Sequence, residues 1–240
     1  MARMAARSVV LSVLLGAHPA WATAAELLRL TADFGIKETT LRVALTRMVG
    51  TGDLVRSEDG YRLSDRLLTR QRRQDAALHP VTRDWRGSWI TIVVTAVGAD
   101  ARARAAMRTM LVHNRFAELR EGVWLRPDNL EEELPAEIRR RVRVLHSRDD
   151  AAAELASMLW DLPGWSKAGS GLLREMDRAT TIPDRFAIAA AMVRHLLTDP
   201  VLPVELLPSD WPADRLREAY ADFAAELVTR RSDDLPLEVR

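Results

Sequence analysis

Apolar residues recur every three to four positions through the first fifty residues and give way to a β-branched run near residue 90; the two patterns divide the chain. Residues 8–17 predict a first helix with Val9, Val10, Val13 and Leu14 turned inward. Residues 24–31 predict a second, with Leu27, Leu28 and Leu30 as its inner face and Thr23 as N-cap. Phe34-Gly35-Ile36 breaks it, because Gly35 takes positive φ at no steric cost and Ile36 plugs the corner of a tight turn between crossed helices. Residues 37–49 predict a third helix packed through Leu41, Ala44, Leu45, Met48 and Val49. Gly50-Thr51-Gly52 stops it, and Leu54-Val55-Arg56 and Tyr61-Arg62-Leu63 then flank an Asp59-Gly60 turn as a hairpin. Residues 65–74 read as a basic helix or linker, and His79-Pro80 marks a boundary.

Further along, residues 89–97 form a β-branched run suited to a buried sheet, as do Val142-Arg143-Val144-Leu145. Between them lie an arginine-rich helix over 100–114, a hairpin over 117–125 turning near Glu121-Gly122, and an acidic stretch entering a helix at 135–140. Strand, helix, two strands, helix, strand is the order of a ferredoxin-like βαββαβ domain. From residue 149 the pattern is helical, over 151–161, 172–177, 184–197 and 214–230, with proline-bearing turns between. The expected fold class is α+β and multidomain: a winged helix-turn-helix in residues 1–80, a ferredoxin-like dimerisation domain in 81–148 and a helical effector or dimerisation domain in 149–240. Trp160, Trp165 and Trp211 either pack its core or line a ligand cavity. Arg174, Arg178 and Arg194 are candidate partners for a phosphorylated ligand that the sequence does not rank.

Charge sharpens this division. The whole chain carries a formal +1, yet residues 1–83 hold 13 Lys/Arg against 8 Asp/Glu, leaving the remainder mildly acidic. A basic leading module suits contact with polyanionic phosphate. The chain has no cysteine, which removes disulfides, thiolate nucleophiles and cysteine-ligated metal sites together. Arg3, Arg7, the apolar run and Ala22-Thr23-Ala24 imitate a secretory signal peptide, but cleavage after Ala24 would delete the helix that fills the module's core. No stretch approaches the roughly 20 apolar residues of a membrane span, so a cytoplasmic protein is expected.

The polar side of the third helix carries the candidate chemistry. Thr39, Thr40, Arg42, Thr46 and Arg47 share it, with Glu38 almost the only acid. Hydroxyls bond phosphate or base edges, arginine forks onto guanine O6 and N7, and the helix dipole attracts phosphate. Arg56, Tyr61 and Arg62 of the hairpin are candidate backbone or minor-groove contacts, and Arg66, Arg70, Arg72 and Arg73 either reach flanking phosphate or form a solvated face. The competing reading is a metal-dependent nuclease built on the ferredoxin-like domain. It needs carboxylates gathered around Mg²⁺, yet residues 89–97 contain no acid, and His146, Asp149 and Asp150 read as a turn and helix cap. No Gly-x-Ser-x-Gly elbow supports a hydrolase. Neither catalytic nor metal-binding residues nor a cofactor are expected.

Three segments carry a family resemblance: residues 34–55 (FGIKETTLRVALTRMVGTGDLV), the Trp89 strand with Glu121-Gly122-Val123-Trp124-Leu125, and above all residues 199–212 (DPVLPVELLPSDWP). The chain resembles the phenylacetate-degradation repressors of the PaaX type over nearly its whole length, with a clipped wing. The resemblance implies a GntR-like winged helix, a ferredoxin-like domain and a helical C-terminal domain. It implies a homodimeric repressor released from double-stranded operator DNA by a CoA thioester such as phenylacetyl-CoA, with Thr39, Thr40, Arg42, Thr46 and Arg47 on the reading helix. It fixes no effector-binding residue.

Overall fold

A computed structural model describes residues 4–95, 100–131 and 134–232, with side chains as far as residue 229. Ala96 and Val97, the end of the expected strand over 89–97, lie outside the described residues. The chain divides into two compact units, one of residues 1–78, 171–197 and 214–240, the other of residues 79–170 and 198–213.

The first unit is built around α1 (Ala6–Gly16), in which Val9, Val10, Leu11, Leu14 and Leu15 are all buried. A helix so apolar on most sides must be enclosed, and α2 (Ala24–Ala32), α3 (Glu38–Gly50) and α4 (Asp65–Leu78) enclose it. The α2 N-terminus is a capping box: the Thr23 hydroxyl accepts the Glu26 N–H at 3.1 Å while the Glu26 carboxylate accepts the Thr23 N–H at 2.8 Å. Gly35, at φ 63°, turns the chain from α2 into α3, and Ile36 is buried in the corner. Leu41, Leu45 and Met48 seat α3.

Three short strands form an antiparallel sheet of order β1-β3-β2, from β1 (Trp21–Ala22), β2 (Leu54–Arg56) and β3 (Tyr61–Leu63). The sequence pattern shows only the last two, since a pair of residues has no period. The buried Gly60 is required by its neighbour: a Cβ there would stand 2.4 Å from the Ala22 carbonyl oxygen. Gln71 on α4 donates to the carbonyls of Leu15 (3.2 Å) and Ala17 (2.8 Å), satisfying the end of α1. The rest of the unit comes from much later in the chain: the second half of α8 (Leu162–Arg178), α9 (Ile182–Leu196) and α10 (Ala213–Ser232). Edge-to-face rings join α9 and α10 to the turn after α2, with Phe34–Phe186 centroids 5.0 Å apart and Phe186–Phe223 6.3 Å apart.

The second unit holds a four-stranded antiparallel sheet of order β5-β6-β4-β7, from β4 (Trp89–Val94), β5 (Ala117–Arg120), β6 (Val123–Pro127) and β7 (Val142–Ser147). Alternation along β4 sends Ile90 and Ile92 to one face, where they meet Met107 and Leu111 of α5 (Ala101–His113) and Ile138 of α6 (Ala136–Arg139). Trp89 and Leu125 face the other way and pack with Leu155 and Ala156 of α7 (Ala152–Leu159), with Leu162 at the start of α8, and with Leu206 of a 3-10 turn at Val204–Leu206. The tryptophans belong to this core. Trp160 stacks on Trp89 and Trp165 on Trp211, with centroids 6.4 and 4.2 Å apart. The helix expected over 172–177 begins much earlier, at Leu162, because the Asp161 carboxylate accepts the Gly164 N–H at 2.9 Å and caps a segment whose glycines mask its helical character.

Candidate nucleic-acid interface

Helix α3 presents two opposed sides. At about 100° per residue, Leu41, Leu45 and Met48 centre on the buried side, while Thr39, Thr40, Arg42, Val43, Thr46 and Arg47 occupy an arc of roughly 160° opposite it, and all six are exposed. The five polar residues singled out from the sequence therefore share one solvent-facing surface. Val43, 50 % exposed at the middle of that surface, was hidden from sequence reasoning because an apolar residue is by default assigned to the core.

The two arginines differ in their ties. Arg42 donates through Nε (2.9 Å) and a terminal nitrogen to the Glu38 carboxylate one turn back, while Arg47 makes no side-chain hydrogen bond or ion pair among the described residues. Thr46 donates its hydroxyl to the Arg42 carbonyl at 3.0 Å, leaving its lone pairs outward. Lys37, at the N-cap, supplies no side-chain acceptor, so no side chain covers the first-turn amides of α3 from that position.

The hairpin residues do not act as one group. Tyr61 pairs with Arg56, on the face that Leu54 and Leu63 continue into the core; Arg62 pairs with Val55 and Trp21 on the opposite face. Arg56 and Arg62 are exposed and Tyr61 half-buried.

Beneath helix and hairpin lies a charged hub that sequence reasoning missed. The Asp53 side chain, 4 % exposed, accepts from Arg7 of α1 at 2.8 Å and from Arg66 of α4. Its backbone N–H closes the end of α3 on the Met48 carbonyl at 2.9 Å, and its own carbonyl accepts from Ser64 at 3.0 Å. Burial pushes the Asp53 carboxyl up, but the hydrogen bond and charge of Arg7, the charge of Arg66 and a hydrogen bond from Thr51 outweigh it and hold the group below its ordinary value. One residue thus joins four elements, its carboxylate holding α1 and α4 while its backbone closes α3 and meets Ser64 after the hairpin. Arg66 is in this way committed to the fold, and Arg70 on the same helix turns toward a cavity described below.

In the second unit, the residues weighed as a metal cluster serve other roles. His146 lies 3.5 Å from Asp128, itself paired with Arg83, and the Asp149 carboxylate accepts the Ala151 N–H at 2.8 Å. Among the described residues no three His, Cys, Asp or Glu side chains gather around a point that could hold a metal ion.

Three family models match consecutive stretches of the chain: PaaX-like protein over residues 5–67, PaaX protein central Cas2-like domain over 82–154, and PaaX-like protein C-terminal domain over 170–234. The chain belongs to the PaaX family. A solved structure, the uncharacterized protein Rv0674 from Mycobacterium tuberculosis, is 68 % identical, with 95 % of this chain and 97 % of that chain covered and a TM-score of 0.85. No curated protein matches. The first PaaX match spans α1 to the hairpin and so contains the whole α3 surface, while the second contains the four-stranded sheet. Among the described residues no helix is long and apolar enough to cross a membrane.

Proposed function

We propose that this PaaX-family chain is a DNA-binding transcriptional regulator that represses a catabolic operon and is released by an aryl- or acyl-CoA thioester of the phenylacetyl-CoA kind. Family membership supports the coarser reading, a regulator of phenylacetic acid catabolism. The observation that carries its DNA-binding part is the α3 surface: six exposed side chains, two of them arginines, on a helix anchored from behind. In this reading α2, α3 and the hairpin are a winged helix-turn-helix. Helix α3 enters the major groove, where Arg47 and Arg42 fork onto guanine, Thr39 and Thr40 hold phosphate near the helix start, and Val43 contacts a thymine methyl. Arg56, Tyr61 and Arg62 follow the adjacent backbone from both faces of the wing. The sheet of the second unit, ordered as in ferredoxin-like sandwiches, joins two copies into a cytoplasmic homodimer, so that two α3 helices meet successive major grooves.

Gel-shift titration against the DNA upstream of the protein's own gene, with and without phenylacetyl-CoA, tests the proposal. Saturable binding that the thioester weakens by roughly 5- to 150-fold is the expected result. A metal-dependent cut of the probe, or affinity equal for this DNA and a scrambled duplex, overturns it.

A further inference from the structure

The first unit contains a half-open cavity of about 130 Å³ lined by α1, α4, α9 and α10, with Leu30 of α2 also in its lining. Its walls are apolar: Val13 and Leu15 from α1, Phe186 and Val193 from α9, Phe223 and Leu227 from α10. An apolar space of roughly 150 Å³ holds one benzene ring, so this one is sized for a single ring or a short branched acyl chain. Five polar side chains interrupt the lining: Ser12 from α1, Arg70 and Gln74 from α4, Arg194 from α9 and Tyr220 from α10. The two arginines are exposed, and no carboxylate answers either charge among the described residues. Arg70 also stands close enough to Arg73 that burial, and then the Arg70 charge, lower the Arg73 guanidinium below its ordinary value. An anion would relieve both arginines. Tyr220 accepts from Gln74 at 3.4 Å; burial first, together with the charge of Asp75, raises its phenol against the pull of that hydrogen bond, so it keeps its proton as a donor.

We infer that this cavity is a ligand site for a ring-sized aryl or acyl group bearing an anion, the apolar part seated between α1, α9 and α10 and the anion held at Arg70 and Arg194. Whether the anion is a free carboxylate or the phosphates of a carrier thioester, the recognition is the same: a desolvated ring and charge-assisted hydrogen bonds from guanidinium. Ligand binding here stands independently; its consequence for DNA rests on the regulator reading above. Two of the cavity walls are the helices tied to Asp53, α1 through Arg7 and α4 through Arg66. A ligand that moves α1 or α4 against α9 and α10 therefore pulls on the carboxylate of Asp53, the residue whose backbone N–H closes α3.

Isothermal titration of the full chain with phenylacetyl-CoA, free phenylacetate and CoA alone tests the site and separates the two sources of anion. We expect at least one aryl ligand to bind and CoA alone to bind at least tenfold more weakly, since each 1.4 kcal/mol of lost ring burial is a factor of ten. Ala190→Phe, and independently Ala224→Leu from the facing wall, fill the cavity and should each weaken aryl binding about tenfold or more. Arg70→Ala and Arg194→Ala should do the same through the anion, whereas Arg72→Ala, an exposed arginine on α4 outside the lining, should not. Ala190→Phe, Ala224→Leu and Arg194→Ala should keep ligand-free DNA affinity within about twofold and lose release by the ligand. Undiminished aryl binding in both cavity-filling variants, CoA alone binding as well as its thioester, or no binding of either aryl compound overturns the site. Aryl binding without any binding to the upstream DNA leaves the site standing and removes the regulator reading instead.

Discussion

Arg47→Ala separates the two jobs a surface arginine can have. Its side chain is exposed, lies on the outer arc of α3 and has no partner among the described residues. Removing it should therefore change the protein's own stability by no more than about 0.5 kcal/mol. A lost bidentate contact to guanine costs about 1–3 kcal/mol of operator affinity, roughly a 5- to 150-fold rise in Kd. Arg42→Ala should cost somewhat less, because Arg42 must give up an exposed pair with Glu38 worth about 0.3–0.5 kcal/mol before it can reach a base. Fluorescence anisotropy on operator and on a scrambled duplex, each at two salt concentrations, resolves the rest. Loss on the operator alone identifies base reading; equal loss on both duplexes, with a salt slope shallower by about one, identifies a phosphate anchor. A Kd change of less than about twofold for Arg47→Ala, with the fold intact by urea titration, would refute the assignment of this surface to DNA.

The remaining expectations concern the scaffold that aims α3. Asp53→Asn should lower stability at pH 7 by about 1–2 kcal/mol, below the full value for charged hydrogen bonds because Arg7 and Arg66 are more than half exposed. The folded Asp53 carboxyl sits below its unfolded value, so its contribution is complete above that value, near 3.9, and fades as pH falls through the folded one. Urea unfolding followed by tryptophan fluorescence should show the two proteins converging there, and a gap independent of pH would count against the hub. Gly60→Ala drives a methyl into the Ala22 carbonyl and should disrupt the β1–β3 pairing, read as lost amide protection in hydrogen exchange at Trp21 to Leu63; unchanged protection would contradict the close approach. Thr23→Ala removes one half of the capping box and should lower the urea midpoint by an amount equivalent to about 0.5–2 kcal/mol.

What could be read from the sequence was local. The inner face of α3, the Gly35 turn and the Thr23 cap each follow from a period or a residue type within a few positions, and so do the four strands of the second unit. The Asp53 hub joins residues 7, 53 and 66, which no window connects. The cavity needs four helices from opposite ends of the chain, and Arg194 emerges from three equally ranked arginines only when α9 is laid against it. Val43 was missed because an apolar side chain on an outer arc has no signature of its own, and β1 because two residues cannot show a pattern. The Asp59-Gly60 pair marked the hairpin for the wrong reason, since the glycine answers to a neighbouring backbone.

The unit that holds α3 draws its remaining helices from residues 171–197 and 214–240. During synthesis the leading third of the chain, residues 1–78, leaves the ribosome with the outer sides of α1 and α4 still waiting for surfaces not yet translated. Expressed alone, residues 1–78 would carry that bare apolar skin permanently, so the severed segment should clump rather than serve as a miniature of the whole protein.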